Sequence, residues 1–154
     1  MNEELEALKT VAQRLDRARI SYMVTGSIAM NYYAAPRMTR DIDMVVELGS
    51  EGADAVCELF QHDFYVDREA VRKAIAQRGI FNIIHATSVI KVDFVVRKES
   101  PYRREEFARR RRVSIEGQDL SIVAPEDLVI SKLDWARDTR SEVQFGSLYR
   151  EVGG

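Results

Sequence analysis

Asp41-Ile42-Asp43-Met44-Val45-Val46 is the stretch on which the reading turns. Its polar and apolar residues alternate, which predicts a strand over residues 41–48. On a strand successive side chains point to opposite faces. Asp41 and Asp43 therefore project together, and Ile42, Met44 and Val46 project toward a core. Two carboxylates on one side of a strand repel each other unless a cation or water lies between them. A hard divalent cation with oxygen ligands suits such a pair.

A second run has the same design. In Ile90-Lys91-Val92-Asp93-Phe94-Val95-Val96, the residues Ile90, Val92, Phe94 and Val96 share the core face, and Asp93 faces away. If the two strands are neighbours, three carboxylates converge on the non-core face and could hold two magnesium ions. Two metals can activate an attacking oxygen and stabilise the leaving oxygen of a phosphoryl displacement. Taken singly, each acid is a solvent-facing residue, and Asp93 could pair with Lys91 or an arginine. Upstream, Val24-Thr25-Gly26-Ser27 runs from a strand into a helix. Helix N-termini present free N–H groups and attract phosphate. The plain alternative makes Ser27 an N-cap and Gly26 a tight turn.

Around these strands the pattern is mixed. Helices are expected over 3–19, 27–35, 51–61, from the Asp67 cap to about 77, 103–111 and 126–138, with a last short one near 141–151. Strands are expected over 21–25 and 41–48, and as hairpins over 80–85 with 89–96 and over 113–115 with 120–123. Helices and hairpins without regular βαβ repetition predict an α+β fold. At 154 residues the chain reads as one domain, with a core at about 20–123 and a C-terminal helical segment at about 125–151.

Composition narrows the classes. Hydrophobic residues are 45 % and charged residues 31 %, which excludes a mostly disordered chain. No apolar run is long enough to cross a bilayer, and the acidic start Met1-Asn2-Glu3-Glu4 predicts no secretion signal. The single Cys57 lies in an apolar helical stripe and reads as an inert thiol, which fits a cytoplasmic protein. With only His62 and His85 besides, zinc chemistry is not expected. Net charge is −2, yet Arg97, Lys98, Arg103, Arg104, Arg109, Arg110, Arg111 and Arg112 crowd one segment, against Glu99, Glu105 and Glu106. Such a stretch could meet phosphates, RNA included. A solvated helix face with arginine stems over apolar surface is slightly favoured.

Gly26-Ser27, then thirteen residues, then Asp41-Ile42-Asp43 resembles the signature of the DNA-polymerase-β-like nucleotidyltransferase superfamily. Pro36-Arg37-Met38-Thr39-Arg40 leading into Asp41 resembles its small bacterial branch, which includes toxin-like members of toxin–antitoxin systems. Asp93 resembles the third carboxylate, and Pro125-Glu126-Asp127-Leu128-Val129-Ile130-Ser131-Lys132-Leu133 resembles the branch's C-terminal helix. The resemblance covers roughly residues 20–145. It implies a small mixed sheet with helices on one face and the active site on the other. It implies transfer of a nucleoside monophosphate from an NTP to an acceptor, with release of pyrophosphate. By position, Gly26 and Ser27 would hold the triphosphate, and Asp41, Asp43 and Asp93 would bind magnesium. Asp93 would also help deprotonate the acceptor. Lys132 and Arg37 are candidate triphosphate contacts, with a surface lysine and an Arg37–Asp43 pair as the alternatives. The acceptor classes implied are an RNA or tRNA end reached through Arg97–Arg112, a protein side chain or a small molecule, and a cognate antitoxin is an implied partner. Phe145-Gly146-Ser147 departs from the family, which keeps an acidic residue there, so a non-catalytic binding or regulatory relative is the second expectation. Trp135 reads as a core aromatic ahead of a base-stacking platform.

Overall fold

The structure is a computed structural model, and it describes residues 3–34 and 41–139, with side chains up to Leu133. The elements run α1 (Glu3–Arg17), β1 (Tyr22–Thr25), α2 (Gly26–Tyr33), β2 (Asp41–Val46), α3 (Gly52–Phe60), β3 (Phe64–Tyr65), α4 (Arg68–Gln77), β4 (Ile80–His85), β5 (Lys91–Val96), α5 (Pro101–Ala108), β6 (Arg111–Ile115), β7 (Gln118–Ile122) and α6 (Pro125–Thr139). Local chemistry sets several boundaries. Asp67 caps α4 by accepting the amides of Glu69 at 3.0 Å and Ala70 at 3.2 Å. Ser100 caps α5, with Pro101 in its first turn, so this helix starts two residues before the expected Arg103. Glu116 and Gly117 both have positive φ, the turn that joins β6 and β7 as a hairpin. Val89 also has positive φ, which takes it out of β5 and into the turn.

The strands form one mixed sheet in the order β3-β4-β5-β2-β1-β7-β6. β2 runs parallel to β5 and antiparallel to β1, and β1 runs parallel to β7. With the six helices this is the α+β architecture expected. One face carries Tyr22, Val24, Ile42, Met44, Val92, Phe94, Phe81 and Ile83, all buried. Against it and around it lie Leu8, Val11 and Leu15 of α1 and Val56 and Phe60 of α3, in one continuous core. Burying a side chain of this size stabilises the fold by about 1.5–3 kcal/mol before entropy is counted. The opposite face carries the three acids. It is covered at β1, where Met23 is buried as fully as its neighbours. Cys57 is buried, as the helical stripe predicts.

The two-residue β3 was not expected, because it is too short to show a period. Tertiary partners place it. Phe64 and Tyr65 pair with His85 and Ile84, and Arg14 of α1 holds the adjoining Asp63 through two bonds of 2.8 and 2.6 Å. The Tyr33 hydroxyl donates to the Val123 carbonyl at 2.8 Å and ties α2 to the end of β7. The expected helix near 141–151, Phe145-Gly146-Ser147 and Arg37 lie outside the described residues, as does the Trp135 side chain.

Candidate active site

The register across three strands builds the site. Asp43 of β2 stands opposite Asp93 of β5 on one side and Thr25 of β1 on the other. Asp41 stands opposite Lys91. The chain leaves Thr25 directly into Gly26 and α2, so the helix begins beside Asp43. Gly26 is required there for two reasons. Its φ is +65°, where a side chain is strained, and an added Cβ would lie 2.8 Å from both Cβ and Cγ of Asp43.

The N-cap of α2 is Thr25, whose side chain makes no capping bond, and the first turn holds no acid. Ser27 is therefore not the cap. It is the second helical residue, and it is exposed. The first-turn amides of α2 thus have no capping side chain, next to a carboxylate row. Burial pushes the Asp43 carboxyl above the ordinary range for aspartate, and the charges of Asp93 and Asp41 push the same way. The charges of Lys132 and Lys91 oppose the shift. Lys132 of α6 therefore reaches this site electrostatically, although it is far away in sequence. Lys91 Nζ lies 3.7 Å from Asp93 Oδ2. This is the lysine pairing that was the alternative for Asp93.

These carboxylates are hard oxygen donors of one sign, and they suit a divalent cation by chemistry. Among the described residues, no three His, Cys, Asp or Glu side chains are already gathered as a ligand cluster. The fit thus rests on the register and on the like-charge strain at Asp43, which a cation would relieve.

Two features escaped the sequence reading. Asn82 of β4 stands opposite Asp93 and extends the row to Asn82, Asp93, Asp43 and Thr25. Only the strand pairing reveals that. The other is Asp127, which is 2 % exposed in the first turn of α6. Arg109 donates to its two oxygens at 3.0 and 2.7 Å, and the Tyr102 hydroxyl donates at 3.1 Å. Arg103 donates to Ser131 at 2.8 Å, the residue before Lys132. Two contacts from α5 and its C-terminal end thus fix the helix that carries Lys132. An acid two residues after Pro125 was visible, but its arginine partner was not.

The arginine-rich segment is largely paired within the molecule. Arg97 meets Glu47 and Glu99, Arg103 meets Glu106 at 3.0 Å, Arg111 meets Glu126 at 3.8 Å and Arg112 meets Asp16 at 3.3 Å. Arg109, Arg111 and Arg112 stay about half exposed, and Arg97 and Arg110 lie over the Phe107 ring, which agrees with a solvated face whose arginines cover apolar surface, here laced with ion pairs. No helix among the described residues is long and apolar enough to cross a membrane.

No protein-family model matches the chain, and no curated protein matches it in sequence. Solved structures do match in shape. A Thermotoga maritima protein assigned to the nucleotidyltransferases superposes with a TM-score of 0.62 at 19 % identity, over 96 % of this chain and 94 % of that one. An antigenic nucleotidyltransferase-like protein from Paracoccidioides brasiliensis gives 0.66 at 22 % identity, over 98 % and 74 %. The lincosamide antibiotic adenylyltransferase LnuA gives 0.55 at 9 % identity, over 84 % of each chain. The superpositions agree with the strand register and with the helix that starts at Gly26: the chain shares the fold of these nucleotidyltransferase-like structures.

Proposed function

We propose that this protein is a magnesium-dependent nucleotidyltransferase. It would move a nucleoside monophosphate from an NTP, such as ATP, to an acceptor and release pyrophosphate. The observation that carries this function is the pairing of Asp43 with Asp93 directly beside the Gly26–Ser27 helix start. The amides of that first turn and the Ser27 hydroxyl would hold the triphosphate, with Lys132 neutralising part of its charge. Asp41, Asp43 and Asp93 would hold magnesium, which when bound supplies Lewis-acid stabilisation of phosphate charge. Asp93 would accept the acceptor proton as the acceptor oxygen bonds to the α-phosphorus and the bond to the pyrophosphate oxygen breaks. Arg37, by its place in the motif, is a further candidate phosphate contact.

The acceptor is an RNA or tRNA end, a protein side chain or a small molecule. The arginine pairing above favours RNA less than the bare sequence does. A toxin-type activity in the cytoplasm, held in check by a cognate antitoxin protein, is consistent with the bacterial-branch motif. A second function, non-catalytic binding on the same fold, is favoured by one contact: Lys91 already sits against Asp93.

Transfer can be tested without knowing the acceptor. Each α-labelled NTP is incubated with magnesium and with separated RNA, protein and small-molecule fractions. Label should enter one fraction with matching pyrophosphate release, and none should enter with Asp43→Ala. Nucleotide binding with no transfer to any fraction would establish the non-catalytic function instead.

A further inference from the structure

The end of the arginine-rich segment lines a recess where positive charge outnumbers negative. Tyr22 opens β1 at the end remote from Thr25, so it lies about 10 Å along the strand from the carboxylate row. Beside it is a polar recess of about 340 Å³, lined among others by Asp16, Arg19, Tyr22, Arg110, Arg112 and Ser121. It holds three guanidinium groups and one carboxylate. Arg112 stands opposite Ser121 in the β6–β7 register. It donates to Ser121 Oγ at 3.2 Å, to the Tyr22 hydroxyl at 3.3 Å and to Asp16 at 3.3 Å. Asp16 is thereby engaged by Arg112 and by the Tyr22 hydroxyl, which donates to it at 3.2 Å.

Arg110 has no such partner. Its guanidinium lies 4.4 Å over the Phe107 ring and donates to the Phe107 carbonyl at 2.7 Å. A guanidinium carries five donors in a planar fork. Burial and the charge of Arg112 weaken its hold on its proton. Arg19, exposed at the end of α1 in a left-handed conformation, adds the third charge.

We propose that this recess is a phosphate-binding site, separate from the carboxylate row, in which Arg110, Arg112 and Arg19 clasp one phosphate group. Guanidinium forks on residues that line one recess can match the oxygens of a tetrahedral anion. One carboxylate against three arginines leaves the recess with the net charge such an anion would neutralise. The site does not depend on the proposed transferase activity.

The test uses the full chain, labelled with ¹⁵N. Inorganic phosphate is titrated against chloride at matched ionic strength, and amide shifts are followed. Saturable shifts are expected around Tyr22 and Ser121. Arg19→Glu, an exposed change, should weaken binding by roughly tenfold or more while leaving the rest of the spectrum in place. Arg110→Gln should do the same, and Arg19→Glu decides if Arg110→Gln does not fold. Shifts reproduced by chloride, confined to Gly26 and Ser27, or unchanged in Arg19→Glu would overturn the assignment. A short oligoribonucleotide without a terminal phosphate separates the sources. Displacement of phosphate assigns the site to a nucleic-acid backbone, and failure to displace assigns it to free phosphate or a phosphomonoester.

Discussion

The carboxylate row and the α5–α6 junction are both rich in charge, and they treat it in opposite ways. At the junction a buried acid meets its counterion: Asp127 accepts from Arg109 and Tyr102, and Glu106 accepts from Arg103. In the row, Asp43 feels the like charges of Asp93 and Asp41, against the charges of Lys132 and Lys91. Paired charge holds elements in place. Like charges held near one another cost stability, which a ligand of opposite sign would relieve. Two regions that look alike in composition thus differ, one serving as scaffold and the other being the proposed site.

Substitutions at the two regions should have opposite signatures. The largest effect is expected from Asp43→Asn. It should lower transfer by about a thousandfold or more, or roughly 4 kcal/mol of transition-state stabilisation. The folded state should lose nothing, because one of three like charges is gone. Steady-state rates and denaturant unfolding on the same sample check both halves. A large fall in stability would place Asp43 in the scaffold class.

Asp127→Ala should invert that pattern. It removes the carboxylate that the Tyr102 hydroxyl and the Arg109 guanidinium share, leaves them only long contacts of 3.5 Å to the backbone carbonyl at 127 and to Glu105, and should destabilise by about 1–3 kcal/mol. Nucleotide binding should weaken less, through the displacement of α6 and Lys132. Urea unfolding midpoints would show it.

Ser27→Ala should weaken nucleotide binding by roughly 1–2 kcal/mol, the scale of a hydrogen bond to a charged group. Stability should hardly change, because Ser27 is exposed and is not the cap of α2. Calorimetry of wild type and variant gives the difference, and equal affinities would remove Ser27 from the site.

The smallest effect concerns pH. The Arg109 hydrogen bonds hold the Asp127 carboxyl below its ordinary value. The unfolded chain then binds this proton more readily than the folded one does. The clamp's contribution is therefore complete above the ordinary aspartate pKa of about 3.9 and is lost as pH falls through the lower folded value. Stability followed below pH 5 should show this component in wild type and lack it in Asp127→Asn. Identical slopes would mean that the clamp contributes nothing to stability.

The sequence revealed what is periodic and hid what depends on partners. Alternation in 41–46 and 91–96 was enough to place Asp41, Asp43 and Asp93 on the face away from the core, and the register then aligned Asp43 with Asp93. Asp67 was recognisable as a cap because its amide partners are two and three residues away. Asn82 was not recognisable, since its importance comes from β4 lying beside β5. Nor was β3, which exists only because β4 is there to pair with. The arginine segment misled in a particular way. Eight cations in sixteen positions suggest a surface, yet besides the local Glu99, Glu105 and Glu106 they meet Asp16 on α1, Glu47 just after β2 and Glu126 and Asp127 on α6, far away in the chain.

The most direct measurement is calorimetric titration of each NTP into the protein, with and without magnesium, for wild type and Asp43→Ala. Binding that requires magnesium and disappears in a well-folded Asp43→Ala is the predicted result. Binding that is indifferent to magnesium, or that survives the substitution undiminished, would contradict the assignment of the carboxylate row as a metal and nucleotide site.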